Sequence, residues 1–167
     1  MTTRVMKVHA FLPRSESKIV FVVVLACYSI AVGVTMRTVT RAFGVPEPEP
    51  GLLLERGSGT AHAVVLLFLA PIVESLLLIG TIELSRKLRA PFWLQVACST
   101  AFIAILHSEA ANPWGVAVVP GFAIQSLAYL YWRPVSWKIG YAVVASIHAL
   151  YNVLPAINAL SYAARNT

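Results

Sequence analysis

The stretch AHAVVLLFLAPIVESLLLIGTIEL, running from Ala61 to Leu84, decides the fold. About 20 predominantly apolar residues are needed to cross the hydrocarbon core of a bilayer as a helix, and this run meets that length. It lacks the charged face that a water-exposed helix would show, and near its middle stands one carboxylate, Glu74. Four further apolar runs can be drawn: Ile19 to Thr35, Pro91 to Ala111, Val116 to Trp132 and Ile139 to Leu160. With 58% hydrophobic and 12% charged residues among 167, the chain is expected to be all-α, a polytopic membrane helix bundle of about five transmembrane helices.

Between the first two runs, Gly44 to Gly59 is rich in Pro, Gly and Glu, and its string Pro46-Glu47-Pro48-Glu49-Pro50 cannot continue a helix. It reads as a loop, with Leu52-Leu53-Leu54 touching the interface. Residues 1–18 read as a basic cytoplasmic segment, and 19–35 as a retained membrane anchor, because no small-residue cleavage site follows Thr35. Pro71, Pro120 and Pro155 fall within spans, where neighbouring helices can satisfy the carbonyls they free. Trp93, Trp114, Trp132 and Trp137 fall near span ends, where an indole sits between headgroups and acyl chains.

The formal net charge of +6 is spread between apolar runs, which argues for membrane topology and against a nucleic-acid partner. Five spans put nine basic residues on one side (Arg4, Lys7, Arg14, Lys18, Arg86, Lys87, Arg89, Arg133 and Lys138) and four on the other (Arg37, Arg41, Arg56 and Arg165). The N-terminus is therefore expected in the cytoplasm. Cys27 and Cys98 lie in separate apolar runs and indicate neither a disulfide framework nor a cysteine metal site.

An ionisable group in hydrocarbon costs roughly 2.5–3.5 kcal/mol on insertion scales, so each one needs a reason. Three stand out: Glu74 in the second run, His107 in the outer part of the third and His148 in the fifth. Asn152 follows His148 by four residues, which places both on one helix face. Such groups can pair for packing alone. A carboxylate, two imidazoles and a carboxamide on three helices also supply a base, proton donors and an orienting group. Glu74, His107 and His148 could alternatively form a two-histidine, one-carboxylate zinc site, although no His-Glu-x-x-His helix is present. His62, Glu83 and Glu109 lie at span ends and read as solvated.

These residues carry a family resemblance. Pro71-Ile72-Val73-Glu74-Ser75-Leu76-Leu77-Leu78-Ile79-Gly80 is similar to the Pro-x-x-Glu-Glu-x-x-x-Arg-Gly motif of the CAAX-protease and bacteriocin-processing family of intramembrane proteases, also called the Abi family. Phe102 to His107 resembles its aromatic-and-histidine motif, with the aromatic one position early, and His148-Ala149-Leu150-Tyr151-Asn152 matches its His-x-x-x-Asn. The motifs occur in order in successive spans, from about Ala61 to Leu160, which leaves the first span as an addition. Two positions depart: Ser75 stands where the family has a second Glu and Ile79 where it has Arg.

The resemblance implies a four-helix intramembrane protease core over 61–160, a glutamic-type peptide hydrolase with Glu74, His107, His148 and Asn152 as catalytic residues and no cofactor. The implied substrate is a membrane-anchored protein or peptide, and the expected location a bacterial inner (plasma) membrane. In the expected mechanism Glu74 takes a proton from water held between it and His107, while His148 and Asn152 face the scissile carbonyl as oxyanion donors. The two departures fit a small subgroup specialised on a particular substrate, or a non-catalytic scaffold or immunity-type protein on the same fold. A small transporter or proton relay could use the same residues, but no repeat of broken helices is present.

Overall fold

The computed structural model describes residues 17–44, 59–110 and 115–165, and every regular element among them is helical. Helix α1 spans Lys18–Ala42. Helix α2 runs from Gly59 to Lys87 as Gly59–Val64, a π-helical turn Val65–Leu69, and Ala70–Lys87. Then come α3 (Phe92–Ala110), α4 (Gly115–Trp132), α5 (Trp137–Tyr151) and α6 (Val153–Arg165). Four stretches are long and apolar enough to cross a membrane: Lys18–Ala42, Gly59–Lys87, Gly115–Trp132 and Trp137–Arg165. The molecule is a polytopic helical bundle, as expected. The N-terminal segment before residue 17, the Pro46–Pro50 string, Leu52 to Leu54 and Trp114 lie outside the described residues.

The side-chain distribution is that of a protein dissolved in lipid. Val20, Val23, Phe68, Leu76, Ile105 and Ile157 face outward, whereas Ser29, Ser75, Ser99, Thr100, Gln125 and Ser126 are buried. Helix α3 turns Gln95, Ser99 and Thr100 inward. Ser99 Oγ and Ser126 Oγ share a hydrogen bond of 2.9 Å across the α3–α4 contact. With apolar solvent outside, such interhelical bonds and close backbone packing hold the helices together.

Two boundaries differ from the sequence reading. Helix α1 continues past Thr35 to Ala42, because Thr35, Thr38 and Thr40 turn their hydroxyls back onto the carbonyls of Ala31, Val34 and Met36 and so stay compatible with helix. The last span is divided: Asn152 separates α5 from α6. Pro155 has no N–H to offer the carbonyl of Tyr151, so the continuous ladder is interrupted there. The Asn152 N–H still reaches His148 O at 3.0 Å, and Ala156 N–H reaches Asn152 O at 3.0 Å.

Helix α1, the span outside the family resemblance, is packed into the same core as the rest. Phe21 is fully buried, stacks on Tyr131 with centroids 5.0 Å apart and meets Trp132 edge-on at 5.6 Å. This corrects the reading of Trp132 as an interfacial anchor: it is 7% exposed, whereas Trp93 and Trp137 are about half exposed. At the same end Glu83 is not simply solvated. It accepts hydrogen bonds from Tyr129 Oη (2.6 Å), Arg133 Nε (2.6 Å) and Arg86 Nη1 (3.0 Å), tying the end of α2 to the end of α4. Helix α6 folds back onto the start of α2, so closely that a Cβ at Gly59 would overlap Ala163 Cβ.

Gly115 permits a similar approach between α4 and α3: a Cβ there would overlap Ala104 O and Ser108 Oγ, whereas one at Gly80 meets nothing within 4 Å. Gly115→Val is therefore expected to lower stability by about 1–3 kcal/mol, as overpacking does. Gly80→Ala should be neutral or slightly stabilising. Reversible unfolding in detergent micelles measures both.

Candidate active site

Glu74, His107 and His148 come from α2, α3 and α5 and meet inside the bundle. Glu74 Oε2 lies 3.6 Å from His107 Nε2 and 3.6 Å from His148 Nε2. The side chains of Glu74 and His107 are 25% and 23% exposed and that of His148 only 4%, but Glu74 Oε2, the oxygen that faces both rings, is itself buried. At 3.6 Å the polar atoms are just beyond direct hydrogen-bond distance, and Glu74 Oε2 is left without a hydrogen-bond partner.

Hydrogen placement around His107 constrains what can lie between the groups. Its Nδ1 is 2.9 Å from Ile103 O, one turn back on its own helix. A carbonyl can only accept, so Nδ1 carries the proton and Nε2 of the neutral ring is an acceptor. A carboxylate oxygen is an acceptor too. Two acceptors facing each other need a proton between them, on either group or on a water that donates to both. The arrangement therefore suits a water polarised from two sides.

Phe122 of α4, which the sequence reading did not single out, sets the spacing of the imidazoles. Its ring lies 5.4 Å from that of His107 and 5.2 Å, edge to face, from that of His148. Nothing in its surroundings along the chain distinguishes it from other core aromatics. Its place depends on the α3–α4–α5 register. Ser75 and Ile79, the two departures from the motif, are 0% and 6% exposed and lie on the buried face of α2.

Asn152 differs from expectation. Its Nδ2, expected to face a scissile carbonyl, donates to Leu66 O at 2.9 Å, on the π turn of α2. The reason lies in Pro71. In the π turn Ala70 N–H is taken by Val65 O, so the next carbonyl, Leu66 O, would look to the N–H of residue 71. Proline has none. Asn152 supplies the missing donor and thereby fixes the end of α5, with His148 one turn earlier, against the segment that carries Glu74. Its role in the geometry is positioning.

For the zinc alternative, no group of three or more His, Cys, Asp and Glu side chains among the described residues is placed to hold a metal ion. Compared with protein-family models, curated proteins and solved structures, the chain matches none.

Removing the Asn152 amide leaves Leu66 O without a donor in hydrocarbon. Asn152→Leu is expected to destabilise by about 1–2 kcal/mol. Pro71→Ala restores a backbone N–H beside that carbonyl, so the double variant should lose less than the two single losses added together. A double-mutant cycle by reversible unfolding reads this coupling, and strict additivity would contradict it.

Proposed function

We propose that this protein is an intramembrane endopeptidase that hydrolyses a peptide bond of a membrane-anchored protein or tail with a water activated by Glu74 and His107. The observation that carries the reading is the single carboxylate oxygen set 3.6 Å from two imidazoles on two other helices. A structural pair needs two partners; a third, buried in lipid, calls for further explanation.

In the proposed reaction a water sits between Glu74 Oε2 and His107 Nε2. Glu74 takes its proton as the water oxygen bonds to the scissile carbonyl carbon. His148, through Nε2–H, donates to the oxyanion that forms. Glu74 then returns the proton to the amide nitrogen, the C–N bond breaks and the amine leaves. Asn152 acts by holding α5 in register, which replaces its expected part as an oxyanion donor.

The bundle is proposed to lie in a bacterial inner membrane with the N-terminus in the cytoplasm, on the strength of the nine-to-four division of basic residues. His107 is 15 residues from the start of α3, about 22 Å along the helix, so the site is proposed to open toward the outer side. That depth suits the tail of an exported, membrane-anchored substrate.

A second reading, a non-catalytic scaffold or immunity-type protein, is favoured by the engagement of Asn152 with Leu66 O and by Ser75 and Ile79. One experiment separates the two. Protein C-termini in membranes containing the native protein are compared with those containing Glu74→Gln. A peptidase leaves a set of new C-termini that Glu74→Gln, His107→Ala and His148→Ala each abolish while remaining inserted; identical C-terminal profiles overturn the proposal. Activity should also survive a metal chelator, and loss reversed by zinc would replace this mechanism with a metal-dependent one.

A further inference from the structure

The proposed reaction uses Nε2 of His148 and leaves its other nitrogen unexplained. Among the described residues seven buried polar side-chain atoms lack a hydrogen-bond partner, and three of them are His148 Nδ1, Ser29 Oγ and Gln125 Oε1. The three residues are 3%, 0% and 1% exposed. Each orphan in a low-dielectric interior is costly.

Helix register places them in one layer. Helix α1 starts beside the end of α4, where Phe21 packs on Trp132, and reaches the end of α5, where Gly33 abuts the Tyr151 ring. It therefore runs parallel to α5 and antiparallel to α4. Gln125 precedes Trp132 by seven residues, two turns on the same helix face, so it faces α1 as Trp132 does. Two turns along α1 from Phe21, at the same depth, is Ser29, which shares the buried stripe Phe21, Leu25, Ser29 and Gly33. Going back one turn from the Gly33–Tyr151 contact on both parallel helices pairs Ser29 with the level of Ile147 and His148. Phe122, one turn from Gln125, already touches the His148 ring. Ser29, Gln125 and the rear of His148 thus bound one polar layer between α1, α4 and α5.

We propose that this layer encloses a single internal water that fixes the protonation of His148. The water accepts from the Ser29 hydroxyl and donates its two protons to Gln125 Oε1 and His148 Nδ1. That makes three hydrogen bonds, the usual complement of a buried water, and satisfies all three orphans at once. With Nδ1 held as an acceptor, the neutral ring carries its proton on Nε2, toward Glu74. His107 has the opposite tautomer, with Nδ1–H on Ile103 O. The two imidazoles that flank one carboxylate oxygen are therefore unequal: one presents a lone pair and the other a proton. Ser29 and Gln125 are positioning residues, and α1 becomes part of the site's support.

The inference needs no turnover, so its test stands apart from that of the peptidase reading. The full chain is labelled with 15N-histidine and placed in lipid nanodiscs, and the His148 ring signals are assigned by their loss in His148→Gln. Protonated Nε2, bare Nδ1 and magnetisation transfer from water to the ring are expected. Ser29→Ala and Gln125→Met should each reduce the preference for this tautomer by about fivefold, the weight of one neutral hydrogen bond, while the His107 signals stay in place and certify the fold. A native His148 with its proton on Nδ1, or a tautomer preference unmoved by both substitutions, overturns the proposal.

Discussion

A carboxylate in hydrocarbon must be accompanied, and the architecture of this bundle follows from how Glu74 is accompanied. Lipid offers no hydrogen bonds, so the partners have to come from other helices. They are His107 of α3 and His148 of α5, both at 3.6 Å from the same oxygen. Bringing three helices to one point dictates the order in which they pack and makes Phe122 of α4 the spacer between the rings. It also places a demand on α2, which must present Glu74 inward across a proline. The π turn at Val65–Leu69 and Pro71 together free one carbonyl, and Asn152 consumes it. The local irregularity of α2 and the break between α5 and α6 are thus two sides of one contact.

The rest of the bundle protects that arrangement. At the basic end, Glu83 gathers Tyr129, Arg133 and Arg86 and joins α2 to α4. At the other end α6 lies against the start of α2 through Gly59, and α4 approaches α3 through Gly115. Between them the buried stripe of α1 packs against α4 and α5. Stability therefore rests on close backbone approach and satisfied polar contacts, as expected where the solvent is as apolar as the side chains.

Much of this was legible in the sequence, and the reason is the solvent. Against a background of Val, Leu, Ile and Ala, a Glu or His is conspicuous, so Glu74, His107 and His148 could be picked out before any helix was placed. The five helical segments followed from length and hydropathy. What was misread depends on register across distant segments. Glu83 looked solvated because Tyr129 and Arg133 lie 46 and 50 residues away. Trp132 looked interfacial because nothing nearby announces that Phe21 covers it. Asn152 was expected to face the scissile carbonyl beside His148, because helix periodicity predicts the face of a side chain but not the carbonyl that will claim it. The π turn left no signal beyond Pro71, whose missing N–H is legible but whose consequence at Leu66 is not.

The convergence of Glu74 with both imidazoles is the claim on which the account stands, and an interatomic distance tests it most directly. In lipid-embedded protein carrying 13C-carboxyl glutamate and 15N-imidazole histidine, solid-state dipolar dephasing measures that separation, with Glu74→Gln identifying the carboxyl. The account expects the Glu74 carboxyl to be coupled to the rings of both His107 and His148, at separations matching oxygen-to-nitrogen distances of 3.6 Å. A carboxyl coupled to neither ring would contradict it.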